Sequence, residues 1–97
     1  MKVSEIPYER ADAEKVCGVI DKEVEKINAA KSVDDVLEAR ELVNDALRDF
    51  YTESSLANAR FTLNTKDEFY SAEKDYYDEK MPVVQVSYLK YADAILS

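Results

Sequence analysis

Three stretches of the chain place apolar residues three and four positions apart, the spacing that gathers side chains on one side of an α-helix. In the first, Val16, Ile20, Val24 and Ile27 share a face, while Asp21, Lys22, Glu25 and Lys26 point to water. This helix is expected from about Asp12 to about Ala30. The second stretch runs through Val36, Ala39, Val43, Ala46, Phe50, Ala57 and Phe61 with mostly heptad spacing. Neither glycine nor proline interrupts residues 33–64, so a helix longer than about seven turns is predicted. The third places Phe69, Ala72, Tyr76 and Tyr77 inward as far as Pro82. Beyond it, Val83, Val86, Leu89, Ala92 and Leu96 continue the apolar contacts, and Tyr88, Tyr91 and Ile95 widen that face. Pro82 has no amide to donate and crowds the carbonyl of Asp78, which predicts a kink or short break.

The boundaries have their own signals. Pro7 restricts Ile6 to extended backbone, so residues 1–10 read as an extended lead-in. Ser32 with Asp35 forms a weakened capping box at the start of the second helix, and Thr65 with Glu68 forms another before the third. Gly18 inside the first helix costs about 1 kcal/mol relative to alanine, and a close helix crossing is the expected compensation. Short connections between long helices favour antiparallel neighbours. The predicted fold is therefore all-α: an antiparallel bundle of three long helices in one domain over residues 1–97, the third kinked or broken near Pro82.

Composition narrows the partners. Twenty-one acidic residues against 13 basic ones leave a formal charge of −8, which argues against nucleic acid or an anionic membrane surface. One glycine and two prolines are too few turn formers for a many-stranded sheet. Cys17 is the only cysteine, so neither an internal disulfide nor a thiolate metal cluster can form. With no signal-peptide pattern and no run of apolar residues long enough to span a bilayer, a cytoplasmic protein is expected.

The chain contains no histidine. That removes the commonest general base, the usual zinc ligand and every triad built on imidazole, so neither catalytic residues nor a cofactor or metal site is expected within it. The acidic series Asp67, Glu68, Glu73, Asp75, Asp78 and Glu79 lacks the ligand alternation and central glycine of a calcium loop and reads as a solvated helix face. Glu38 and Glu41 read the same way. Tyr70, Tyr76, Tyr77, Tyr88 and Tyr91 crowd the last third, suiting helix packing or a contact that is half buried and half wet. Cys17 reads as a small apolar filler and Arg60 as structural.

The order of several segments resembles a known family. These are Pro-Tyr-Glu-Arg at residues 7–10, Ala-Lys-Ser at 30–32 and, above all, the stretch from Leu56 to Tyr70, with Ala59-Arg60, Thr62, Asn64-Thr65, Asp67 and Phe69-Tyr70. Tyr76-Tyr77-Asp78-Glu79 followed by Pro82 agrees with it. Together they resemble the beginning of oligoendopeptidase F, a family of cytoplasmic zinc endopeptidases that cut short peptides. The resemblance implies that a His-Glu-x-x-His helix and a further glutamate bind zinc in a later catalytic domain of the full-length parent. It further implies that this helical lobe helps wall and gate the channel for short peptides. Ala11 departs from the proline of a Tyr-x-Arg-Pro-Asp start, and Phe61 from an often polar position. A chain ending at Ser97 inside an apolar rhythm is expected of a severed lobe or a shortened gene.

A severed lobe would leave part of its last helix uncovered. Val83, Val84, Tyr88, Tyr91 and Ile95 are too many for one bundle-facing stripe and form the expected interaction surface. Its expected partner is the missing catalytic domain of the same polypeptide, or a second copy in a homo-oligomer of the fragment. The alternative is a free-standing acidic helical module that binds another protein through this tyrosine-rich helix.

Overall fold

The computed structural model describes residues 6–96, so the first five residues of the expected lead-in, and Ser97, lie outside it. Three helices make up the fold: α1 (Ala13–Asn28), α2 (Val33–Leu63) and α3 (Glu68–Leu96). Among the described residues there is no strand. The start of α1 bonds to the early turns of α3, and its end, at Ile27, shares a cavity with Val33 of α2 and Ala94 of α3. Thus α1 and α3 run the same way and α2 returns between them, as the short connections predict.

Every helix start has a side-chain cap. Asp12 Oδ1 accepts from the amides of Glu14 (3.0 Å) and Lys15 (3.2 Å), and Ser32 Oγ accepts from the Asp35 amide at 3.3 Å. For α3 the cap is Asp67, whose Oδ1 accepts from the Tyr70 amide at 3.1 Å, rather than Thr65. Thr65 and Lys66 instead form the turn before it, with Asn64 Oδ1 accepting from the Lys66 amide at 3.2 Å.

The core of α1 is a seam in steps of three and four: Ala13, Val16, Ile20, Glu23 and Ile27. Glu23 takes the inward place expected of Val24, which is only half buried. Its Oε1 lies 3.0 Å from Lys26 Nζ, within ion-pair reach but outside hydrogen-bond geometry. α2 contributes Ala39, Val43, Leu47, Phe50 and Ala57, close to the predicted stripe.

The close crossing expected at Gly18 is not found, and of the kink or short break expected at Pro82 there is no break. Gly18 is exposed and a Cβ built there meets nothing within 4 Å, so no close crossing explains it. α3 passes Pro82 without a break. The carbonyl that Pro82 leaves without a donor belongs to Asp78, which is exposed, so water can satisfy it and the helix need not end.

At ~1.5 Å per residue, α1 is ~24 Å long against ~45 Å for α2 and α3, so it fills only part of the groove between them. The remainder is filled by residues 8–12, which continue the path of α1 in non-helical form along the first turns of α3.

Candidate functional site

The densest polar cluster lies where this strap meets α3. Glu73 is buried, and both of its oxygens are used. Oε1 accepts from the Tyr8 hydroxyl at 2.7 Å and from Arg10 Nε at 3.0 Å, while Arg10 Nη2 donates to Oε2. The guanidinium also lies over the Tyr76 ring, 4.4 Å from its centroid, a cation–π contact. Because Tyr8 gives its one hydroxyl proton to Glu73, the 3.0 Å contact between Tyr8 and Tyr77 must be a donation from Tyr77. Tyr77 in turn accepts from the Ala11 amide at 2.9 Å, which makes a directed chain from backbone to carboxylate. Tyr76 completes the attachment: its hydroxyl accepts from the Ala13 amide (3.0 Å) and donates to the Ala11 carbonyl (2.8 Å). The first three amides of α1 are thereby satisfied by Tyr76 and Asp12.

The electrostatics follow from this geometry. The Arg10 hydrogen bonds hold the Glu73 carboxyl below the usual carboxylate range, against the opposing effect of burial and with help from Tyr8. Burial first, with the hydrogen bond that Tyr8 donates to Glu73, pushes the Tyr8 hydroxyl far above the ordinary tyrosine value. Burial likewise raises Tyr77. The hydrogen bonds of Glu73, Tyr76 and Tyr77 hold the strap to α3. The cluster is a clasp.

Glu73 therefore departs from the solvated acidic face read from sequence, whereas Asp75, Asp78, Glu79, Glu38 and Glu41 are exposed as expected. Its signal was its phase: Glu73, Tyr77, Val84 and Tyr91 recur in steps of four and seven, so the carboxylate sits on the buried stripe. Phe69 and Ala72, expected inward, are exposed, although Phe69 still meets the Tyr8 ring edge to face at 6.4 Å.

Beyond Pro82 the structure divides the predicted surface residues. Val84 and Tyr91 are buried in the core and do not belong to an exposed surface. Val83 is 52% exposed and lies toward α1, its carbonyl 3.9 Å from Cys17 Sγ. Tyr88 and Ile95 are exposed and, with the edge of Tyr91, line a groove of about 450 Å³ between α2 and α3. Leu37, Arg40 and Leu96 line it too. Val86, Leu89 and Leu96, predicted to continue the core contacts, are 54%, 64% and 86% exposed. Valine, serine and tyrosine at 84, 87 and 91 take the inward positions instead. Arg60 donates to the Tyr70 hydroxyl and lies 5.4 Å from that ring's centroid, a structural role.

Histidine is absent from the sequence, and among the described residues no group of three cysteine, aspartate or glutamate side chains is placed to hold a metal ion. Nor is any helix, among the described residues, long and apolar enough to cross a membrane.

The family model for the peptidase M3 N-terminal domain matches residues 3–97. A solved structure of PZ peptidase A with an inhibitor superposes with a TM-score of 0.93 at 32% sequence identity. The superposition covers 99% of this chain and 17% of that one. No curated protein gives a comparable sequence match.

Proposed function

Because the chain belongs to the peptidase M3 N-terminal domain family, we propose that it is the non-catalytic leading lobe of a zinc metallopeptidase of the oligoendopeptidase F type. In that enzyme it walls and gates the channel that admits short peptides. The observation that carries this reading is the match to PZ peptidase A, which takes up nearly all of this chain and less than a fifth of that one. A lobe without histidine lacks the usual imidazole ligands of catalytic zinc, so in this reading the metal and the catalytic base come from the larger remainder of the parent polypeptide. Lone Cys17 and an acidic, basic-stripe-free surface agree with a cytoplasmic setting and with peptides as the substrate class.

The lobe's contribution is steric. Three packed helices with a clasped strap give a rigid wall, and a rigid wall excludes folded chains while passing short extended ones. The decisive experiment compares the parent polypeptide with a version lacking this lobe, using fluorogenic peptides of increasing length and an unfolded protein as substrates. Loss of the length limit while short-peptide hydrolysis persists is the expected result. An unchanged length limit would remove the gating role, and hydrolysis by the 97-residue chain alone, abolished by a chelator, would remove the non-catalytic assignment.

A further inference from the structure

The second half of α3 is apolar on two opposite sides. Val84, Ser87 and Tyr91 face the bundle, while Val86, Leu89 and Leu96, in steps of three and seven, project away from it. A helix apolar all round is one that is covered all round. The outward apolar character begins at Pro82. Residues 68–80 carry seven charged side chains in 13 positions, whereas residues 81–96 carry only Lys90 and Asp93 in 16. The outer face of the first half, with Asp75, Asp78 and Glu79, suits water; that of the second half does not.

This face is continuous with the groove between α2 and α3. Leu37 forms one wall, Tyr88 and Ile95 form the other, and Leu96 joins the groove to the outer side of α3. Helices pack by setting a ridge of side chains into such a groove. We propose that this groove and the outer stripe of α3 together seat an apolar helix from the catalytic part of the same polypeptide. The inference rests on reading the chain as a leading lobe. It commits to that occupant because the lobe corresponds to only 17% of PZ peptidase A, so a parent of that kind has ample further chain to lay across the face. Exposed apolar patches of this kind on small domains mark interaction sites.

The test uses the parent polypeptide with a protease site inserted between the lobe and the remainder. After cleavage, the lobe should co-elute with the remainder in size-exclusion chromatography. Leu89→Glu should release it, weakening association at least tenfold. Leu42→Glu should leave it bound, because Leu42 is an exposed leucine that helix geometry puts on a different side of α2 from Leu37. Circular dichroism of both variants of the isolated chain should show unchanged helix content. Retention of the Leu89→Glu lobe would overturn the assigned face while leaving the leading-lobe reading standing. Release of the unsubstituted lobe, with the isolated chain sedimenting as a dimer that Leu89→Glu dissolves, would give the face to a second copy. Absence of any catalytic part in the polypeptide would remove both readings together.

Discussion

The two halves of α3 satisfy their inward faces by different means. Residues 68–80 bury a carboxylate and a tyrosine hydroxyl and use them to clasp the strap, while their outer side carries charge. Residues 81–96 bury valine and tyrosine against α1 and α2 and leave valine and leucine outside. The first half meets the strap through buried polar groups, and the second leaves Val86, Leu89 and Leu96 exposed. Side chains in the first half should therefore matter most to the stability of the isolated chain, and outward side chains in the second should matter most to association.

The most severe break expected is Tyr77→Ala. Tyr77 is almost wholly buried, packs its ring 5.4 Å from that of Phe50 and bridges Ala11 to Tyr8. Truncation should lower unfolding free energy by about 3–5 kcal/mol, read from the urea midpoint. A loss below about 1 kcal/mol would mean that the strap end is not the stable end.

Glu73→Gln comes next, with an expected loss of about 1.5–3 kcal/mol from charge-assisted hydrogen bonds, toward the lower end because Arg10 is half exposed. It also has a pH signature. The folded-state pKa of Glu73 is depressed, so its contribution is present above the ordinary carboxylate value of 4.5 and is lost as pH falls through the depressed value. Tyr8 and Tyr77 are raised, so theirs is present below pH 10 and is lost as pH climbs further. The wild-type chain should thus lose stability in acid more steeply than Glu73→Gln, as followed by thermal melts across pH. Parallel acid limbs would show that the carboxylate does not hold the clasp.

Gly18→Ala should raise stability by about 0.5–1 kcal/mol, since the position is helical, open and free of positive φ. A lower urea midpoint for the variant would mean that the position is packed within the chain and not open. The smallest effect is expected for Leu89→Gln in the isolated chain, within about 0.5 kcal/mol of wild type by urea denaturation. A loss above 1 kcal/mol would place Leu89 in the lobe's own core and erase the contrast between the halves.

How much of this was legible in the sequence varies with the kind of force involved. The three helices, the start of the first near Asp12 and the cap at Ser32 follow from periodicity and local side-chain chemistry. The wrong choices of inward residue were choices between neighbouring stripes, apart from the Gly18 crossing and the Thr65 cap. Val24 rather than Glu23, Ala72 rather than Glu73, and Val86 rather than Ser87 looked inward because they are the more apolar of each pair or series. In each case a polar side chain took the buried place, because a neighbouring group was there to meet it or because it was small. Arg10 and Tyr8 meet Glu73 from more than 60 residues away, and nothing within one helical turn announces them.

By itself the sequence determined the all-α class, the three-helix order and the absence of imidazole chemistry, because those depend on residue identity and on spacings within a single helix. Only the tertiary structure decided that Glu73 is a clasp and not a solvated charge, that Gly18 is open, that α3 runs unbroken through Pro82 and that Leu89 faces outward. A helix carrying apolar residues on two sides can turn either one to its neighbours. Which side wins is set by what the rest of the fold presents, here a strap whose arginine and tyrosine draw one stripe of α3 inward and leave the other exposed.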